Sequence, residues 1–185
     1  MLCGKQKYSK YKLEMNELPK RKNIRLKDYD YSSDGAYFIT ICVKDRHEIL
    51  GKIVGDDAHI VPTTEYSEYG NIVIKHIKGI SHSYANVIVD KYAIMPNHIH
   101  MLIFLNQRDE NGTMWASSPT KPVIGIPGIV RSLKTLITKE CGFSFWQRGY
   151  HDHIIRNETE YQKIWQYIDE NPVKWAEYEY YRGNG

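Results

Sequence analysis

The chain has 185 residues, 42% hydrophobic and 25% charged, with a formal net charge of +3. That length and balance fit one soluble globular domain with a substantial core. No apolar run nears the ~20 residues a membrane-spanning helix needs, and Met1-Leu2-Cys3-Gly4-Lys5 lacks the apolar centre of a secretory signal. Cys3, Cys42 and Cys141 are odd in number and far apart, with no Cys-x-x-Cys pair. This argues against a disulfide scaffold and a thiolate zinc site, and predicts a reducing, cytoplasmic location.

Residues 1–30 read as a basic, partly extended arm, and 31–185 as a single domain. Lys5, Lys7, Lys10, Lys12, Lys20, Arg21, Lys22, Arg25 and Lys27 stand against Glu14 and Glu17. Arms of this kind commonly neutralise phosphates, although a solvated tail has the same composition. Fifteen tyrosines and four tryptophans supply flat surfaces for core packing or for stacking on unpaired bases.

After the turn signal Asp34-Gly35, the β-branched and aromatic run Tyr37 to Val43 predicts the first strand. Glu48 to Val54 reads as a short second strand or hairpin arm. Thr64, with Glu65 in the first turn, is a candidate helix cap. Tyr66, Tyr69, Val73, Ile77 and Ile80 then step by three and four, the helical stripe. Two strands follow, Asn86 to Ile94 and Ile99 to Leu105, joined through Pro96-Asn97. Gln107 to Pro127, rich in Gly, Ser and Pro, reads as a long connection of the kind that often carries function. A second helix aligns Ile129, Val130, Leu133, Leu136 and Ile137. Phe143 to Ile155 supplies a further strand. The last helix opens at Asn157 with Glu160 three residues on, a capping-box pattern. Pro172 ends it near Asn171.

This order predicts an α+β fold: a ferredoxin-like antiparallel sheet (β-α-β-β-α-β) with helices on one face and an added C-terminal helix.

Within Met95-Pro96-Asn97-His98-Ile99-His100, His98 and His100 stand two apart on a strand and so share a face. Two neutral imidazoles at that spacing can share a divalent ion. Ordinary hydrogen-bonded histidines at a strand edge are the plainer alternative. On the last helix Tyr161, Ile164, Trp165 and Ile168 make the apolar stripe. Tyr167 lies at its border and shares a face with Asn171. A boundary tyrosine and a C-capping asparagine would look the same.

Met95 to His100, Trp146-Gln147-Arg148-Gly149-Tyr150-His151-Asp152-His153-Ile154-Ile155-Arg156, and Tyr167-Ile168-Asp169-Glu170-Asn171-Pro172 together resemble the REP-associated tyrosine transposases. These belong to the single-strand, insertion-sequence-type transposases of the HUH nuclease superfamily. Arg25 to Tyr31 and Gly35 to Cys42 also look like that family's opening, so the resemblance spans roughly Arg25 to Trp175. It implies that His98, His100 and Asn171 hold Mg2+ or Mn2+. Many insertion-sequence relatives place a glutamine where this chain has Asn171. It further implies that Tyr167 is the nucleophile that attacks a DNA phosphodiester, giving a 5′-phosphotyrosine and a free 3′-hydroxyl. An ordinary phenol, with a pKa near 10, is mostly protonated at neutral pH and needs activation. The implied partner is single-stranded DNA with hairpin, REP-like elements, bound by a monomer or a homodimer.

Arg25, Lys27, Arg131, Lys134, Arg148 and Arg156 are candidate DNA phosphate contacts. Trp146 and Tyr150 are candidate stacking residues, and His153 a further candidate DNA contact. His151 and His153 form a second His-x-His pair flanking Asp152, a competing metal site. Two other readings stay open: a non-catalytic single-strand DNA or RNA binding module of the same fold, and a related replication or conjugation nuclease.

Overall fold

The computed structural model describes residues 29–55, 62–106 and 124–175. The basic arm with Arg25 and Lys27, and most of the predicted 107–127 connection, lie outside them.

In chain order the elements are β1 (Gly35–Cys42), a 3-10 turn (Lys44–Arg46), β2 (Gly51–Val54), β3 (Thr63–Tyr66) and α1 (Glu68–Ser83). Then come β4 (Val87–Met95), β5 (His98–Leu105), α2 (Ile126–Cys141), β6 (His151–Ile155) and α3 (Glu158–Glu170). Four strands form an antiparallel sheet in the order β4-β5-β1-β6. A β-α-β-β-α-β chain produces that order when its third strand inserts beside the first, which is the expected ferredoxin-like arrangement. β2 and β3 pair separately as a hairpin.

The sheet is buried on both faces. On one, Tyr37, Ile39 and Ile41 of β1 join Ile99, Met101 and Ile103 of β5 in a core completed by Val73 and Ile77 of α1 and Ile129, Leu133 and Ile137 of α2. On the other, Ala36, Phe38, Leu102 and Phe104 meet Tyr161, Ile164, Tyr167 and Ile168 of α3. This explains why β5 reads as an uninterrupted apolar run rather than an alternating one. Each of its fully buried Ile and Leu side chains contributes about 1.5–3 kcal/mol. The added helix therefore takes the face that α1 and α2 leave open.

Three elements differ from the sequence expectation. Thr64 does not cap α1, because Thr63–Tyr66 is committed to the hairpin with β2. Ser67 caps instead: its Oγ accepts from the Gly70 N–H at 3.1 Å and donates to the Ile49 carbonyl at 2.6 Å. The predicted strand from Phe143 shrinks to His151–Ile155, preceded by one bridge between Val43 and Trp146. Lys134 Nζ takes the Gln147 and Gly149 carbonyls at 2.8 and 2.6 Å, so these are not offered to a ladder. Finally, Asn171 keeps helical angles (φ −53°, ψ −47°) despite the following proline, and the chain goes on turning to Trp175.

α3 is fastened to edge strand β4 at a bulge between Val89 and Lys91. Tyr161 donates to Asp90 at 2.6 Å. Lys91 Nζ pairs with Asp169 at 2.7 Å and lies 3.0 Å from the centre of the Trp165 ring. Trp165 is thus half out of the apolar stripe, serving as a cation-π partner.

Gly70 sits where a Cβ would be driven into the Leu50 carbonyl oxygen. Gly70→Ala is expected to destabilise the fold by about 2 kcal/mol, the scale of overpacking, and to lower Tm by several degrees. An unchanged melting curve would refute this contact.

Candidate active site

The pairing register puts Cys42 opposite His98 and Thr40 opposite His100 on neighbouring strands. Both imidazoles therefore leave the sheet on the face that α3 covers. His98 is fully buried and His100 is 1% exposed. Their Nε2 atoms converge to 3.1 Å.

The outer nitrogens are held in turn. His98 Nδ1 lies 2.8 Å from Asn97 Oδ1, and the Asn97 amide donates from Nδ2 to the Arg46 carbonyl at 3.3 Å. With the amide oriented that way, His98 Nδ1 carries the proton and its Nε2 presents a lone pair. His100 Nδ1 lies 2.8 Å from Thr40 Oγ1. Orientation of a ligating imidazole through its other nitrogen is a recurrent feature of metal sites. A lone pair at His98 Nε2 makes the 3.1 Å approach favourable only with a proton or a cation between the rings. Burial pushes the His98 pKa down to about 3, helped by Arg46, and holds His100 well below the usual imidazole range, with His98 adding to the effect. Both rings are therefore neutral at neutral pH, the form that binds metals.

The last helix completes the enclosure at four-residue intervals. The Tyr167 ring lies 5.4 Å from that of His100 and 5.9 Å from that of Phe38. Trp175, eight residues on, stacks on His98 at 6.0 Å and 20°. Between them Asn171 is completely buried. Its Nδ2 donates to the Tyr167 carbonyl at 2.8 Å, whereas its Oδ1 is buried without a hydrogen-bond donor. An orphaned amide oxygen costs roughly 1–3 kcal/mol, and a cation would satisfy it. Among the described residues no cluster of three His, Cys, Asp or Glu forms a metal site; a third donor beside the two imidazoles would have to be another group, such as this amide.

The structure thus brings His98, His100 and the Tyr167 ring together between the sheet and α3, with Asn171 buried one turn beyond Tyr167. His151 and His153 are exposed on β6. They share the face of Phe38 and Thr40, but His153 Nε2 is engaged by Glu160 of α3 at 2.7 Å. Asp152, between them in sequence, pairs with Ile39 and so points to the other face. The second His-x-His consequently lacks the convergence of the first. Glu160 Oε2 accepts from the Arg156 N–H at 2.8 Å instead of closing the expected capping box, while Asn157 Oδ1 caps Glu160 as expected. Arg131, Arg148 and Arg156 are exposed. Trp146 is buried to 7% exposure within the helix-side core, and Tyr150 packs against the same core. The stacking surface expected of Trp146 is therefore corrected: its ring is core. Sequence reading missed Thr40, Asn97, Phe38 and Trp175. Only Asn97, adjacent to His98 in the motif, carried a local signal.

No protein-family profile matches the chain. A protein of Haemophilus influenzae of uncharacterised role is 33% identical over 175 residues, covering 87% of this chain and 93% of its own. The REP-associated tyrosine transposase of Escherichia coli K12 is 24% identical over 146 residues, covering 78% of this chain and 70% of its own. Among solved structures, a REP-associated tyrosine transposase bound to a REP hairpin superposes with a TM-score of 0.54 at 19% identity, covering 82% of this chain and 74% of that one. An α+β sheet with a histidine pair beneath a tyrosine helix is thus similar, in sequence and in fold, to transposases. In sequence, the chain is similar to REP-associated tyrosine transposases, and it shares the fold of the solved one.

Proposed function

We propose that the protein is a metal-dependent endonuclease and strand transferase for single-stranded DNA, acting at hairpins through a 5′-phosphotyrosine. The observation that carries this reading is the meeting of two neutral imidazole nitrogens beside the Tyr167 ring, with an orphaned amide oxygen buried one helical turn beyond that tyrosine. His98, His100 and Asn171 would hold the ion, and two nitrogens with one oxygen suit Mn2+ better than Mg2+, which favours all-oxygen shells. When bound, such an ion supplies charge neutralisation at a phosphate.

The chain's own residues do the rest. Tyr167 supplies the phenolic oxygen: its bond to phosphorus forms while the bond from phosphorus to the 3′-oxygen breaks. The departing 3′-oxygen takes up a proton, and the phenol loses one. The phosphotyrosine conserves the phosphodiester, so another 3′-hydroxyl can displace Tyr167 without ATP. Asn97 and Thr40 keep the two imidazoles in register, and Trp175 and Phe38 exclude water beside them. Because α3 is fastened to its own β4, Tyr167 serves the histidines of the same chain, which favours reaction within a monomer. The hairpin carried by the solved relative suggests a REP-like hairpin as the recognition element.

Incubation with short hairpin oligonucleotides and Mn2+ tests the reading. A covalent protein–DNA band is expected. Tight binding with no such band in Mg2+ or Mn2+ would favour a binding module instead.

A further inference from the structure

On the other side of the sheet edge, an open groove of about 610 Å³ runs between the C-terminal half of α2 and the segment before β6. Lys134, Lys139, Arg148, Thr138, Ser144 and Trp146 are among its lining residues, and no carboxylate is. Trp146 is more than nine-tenths buried, and its indole N–H has no acceptor. Lys134 spends two of its three donors on the Gln147 and Gly149 carbonyls, which fixes both groove walls to each other. Three cations and the neighbouring hydroxyls form a surface suited to anionic oxygens.

Its position gives that surface a use. Gln147 N donates to the Cys42 carbonyl at 2.9 Å, and Lys44 N donates to the Phe145 carbonyl at 2.7 Å. Cys42 in turn faces His98 across the β1–β5 ladder. Two strand spacings of about 4.8 Å therefore separate the groove wall from the histidine pair along the sheet end. The groove lies on the α2 face and the histidines on the α3 face, so a strand joining the two would pass round this end of the sheet.

We infer that this groove is a second DNA subsite, which grips the phosphodiester backbone next to the segment held at the histidine pair. The inference rests on the proposed function and adds to it where the flanking strand runs. Arg148 and Lys139 supply the charge; Thr138 and Ser144 supply neutral donors to phosphate oxygens. No base edge is read there, so the subsite positions rather than specifies.

The test is the salt dependence of hairpin-oligonucleotide binding, followed by fluorescence anisotropy on the full chain. Lys139→Ala/Arg148→Ala is expected to lower the slope of log affinity against log salt by about 1.5, from 0.7–0.9 per phosphate contact. Lys52→Ala/Lys78→Ala, which removes the same charge outside the groove, is expected to leave the slope unchanged. Equal slopes for wild type and the groove variant, or equal changes in both variants, overturn the subsite. If the wild type forms its covalent band while the groove slope fails to change, the subsite alone is wrong. If the wild type binds no DNA, the proposed function falls and takes the subsite with it.

Discussion

Tyr167→Phe is expected to abolish the covalent protein–DNA band and to reduce cleavage by at least about four orders of magnitude, the scale of losing a covalent nucleophile. The change deletes one oxygen and keeps the ring that touches Phe38 and His100. Folding stability should therefore fall by no more than about 1.5 kcal/mol, the worth of a single hydrogen bond. Hairpin binding should persist. A mutant that still forms the band would remove Tyr167 from the chemistry and point to another hydroxyl.

His98→Ala is expected to weaken Mn2+ binding by at least about 100-fold and to abolish cleavage, whereas His151→Ala leaves both near wild type. Thr40→Val, which keeps the side chain's shape but removes its bond to His100, should cost about 10–100-fold in metal affinity. Titration calorimetry with Mn2+ reads all three. The pH dependence is a further arm. Protons compete for an exposed imidazole pair as pH falls through about 6.5. Here His98 is held at about 3 and His100 well below its usual range. Metal affinity of the folded protein should thus stay nearly flat down to about pH 5. Stability, by contrast, should fall below pH 6.5, because the unfolded histidines take up protons that the folded ones refuse. Affinity that dropped steeply near pH 6.5, or loss of Mn2+ in His151→Ala alone, would transfer the site to the exposed pair.

Much of this architecture is legible in the chain because local rules and tertiary packing agree. The strands at Gly35–Cys42 and His98–Leu105 are β-branched and apolar beyond what one buried face needs, and the face-sharing of His98 and His100 follows from strand period alone. The Asn157 cap and the shared face of Tyr167 and Asn171 follow equally from helical geometry. What escapes is whatever depends on pairing between distant segments. Nothing near Thr40 announces that it will meet His100 sixty residues away. Trp175 meets His98 because the chain keeps turning past Pro172, against the usual preference of the residue before a proline. Thr63–Tyr66 has helix-compatible spacing, and only its partner β2 makes it a strand.

The covering of the sheet's second face has one more consequence. α3 packs across the sheet, on Ala93 of β4, Leu102 and Phe104 of β5, Ala36 and Phe38 of β1 and Ile155 of β6, while His151 and His153 at the β6 edge stay exposed. The histidine pair itself is closed off, with His98, His100 and Asn171 out of contact with solvent and Trp175 stacked on His98. For an ion or a phosphate to reach them, Trp175 or the end of α3 must first swing aside, so the proposed reaction would begin with an opening step.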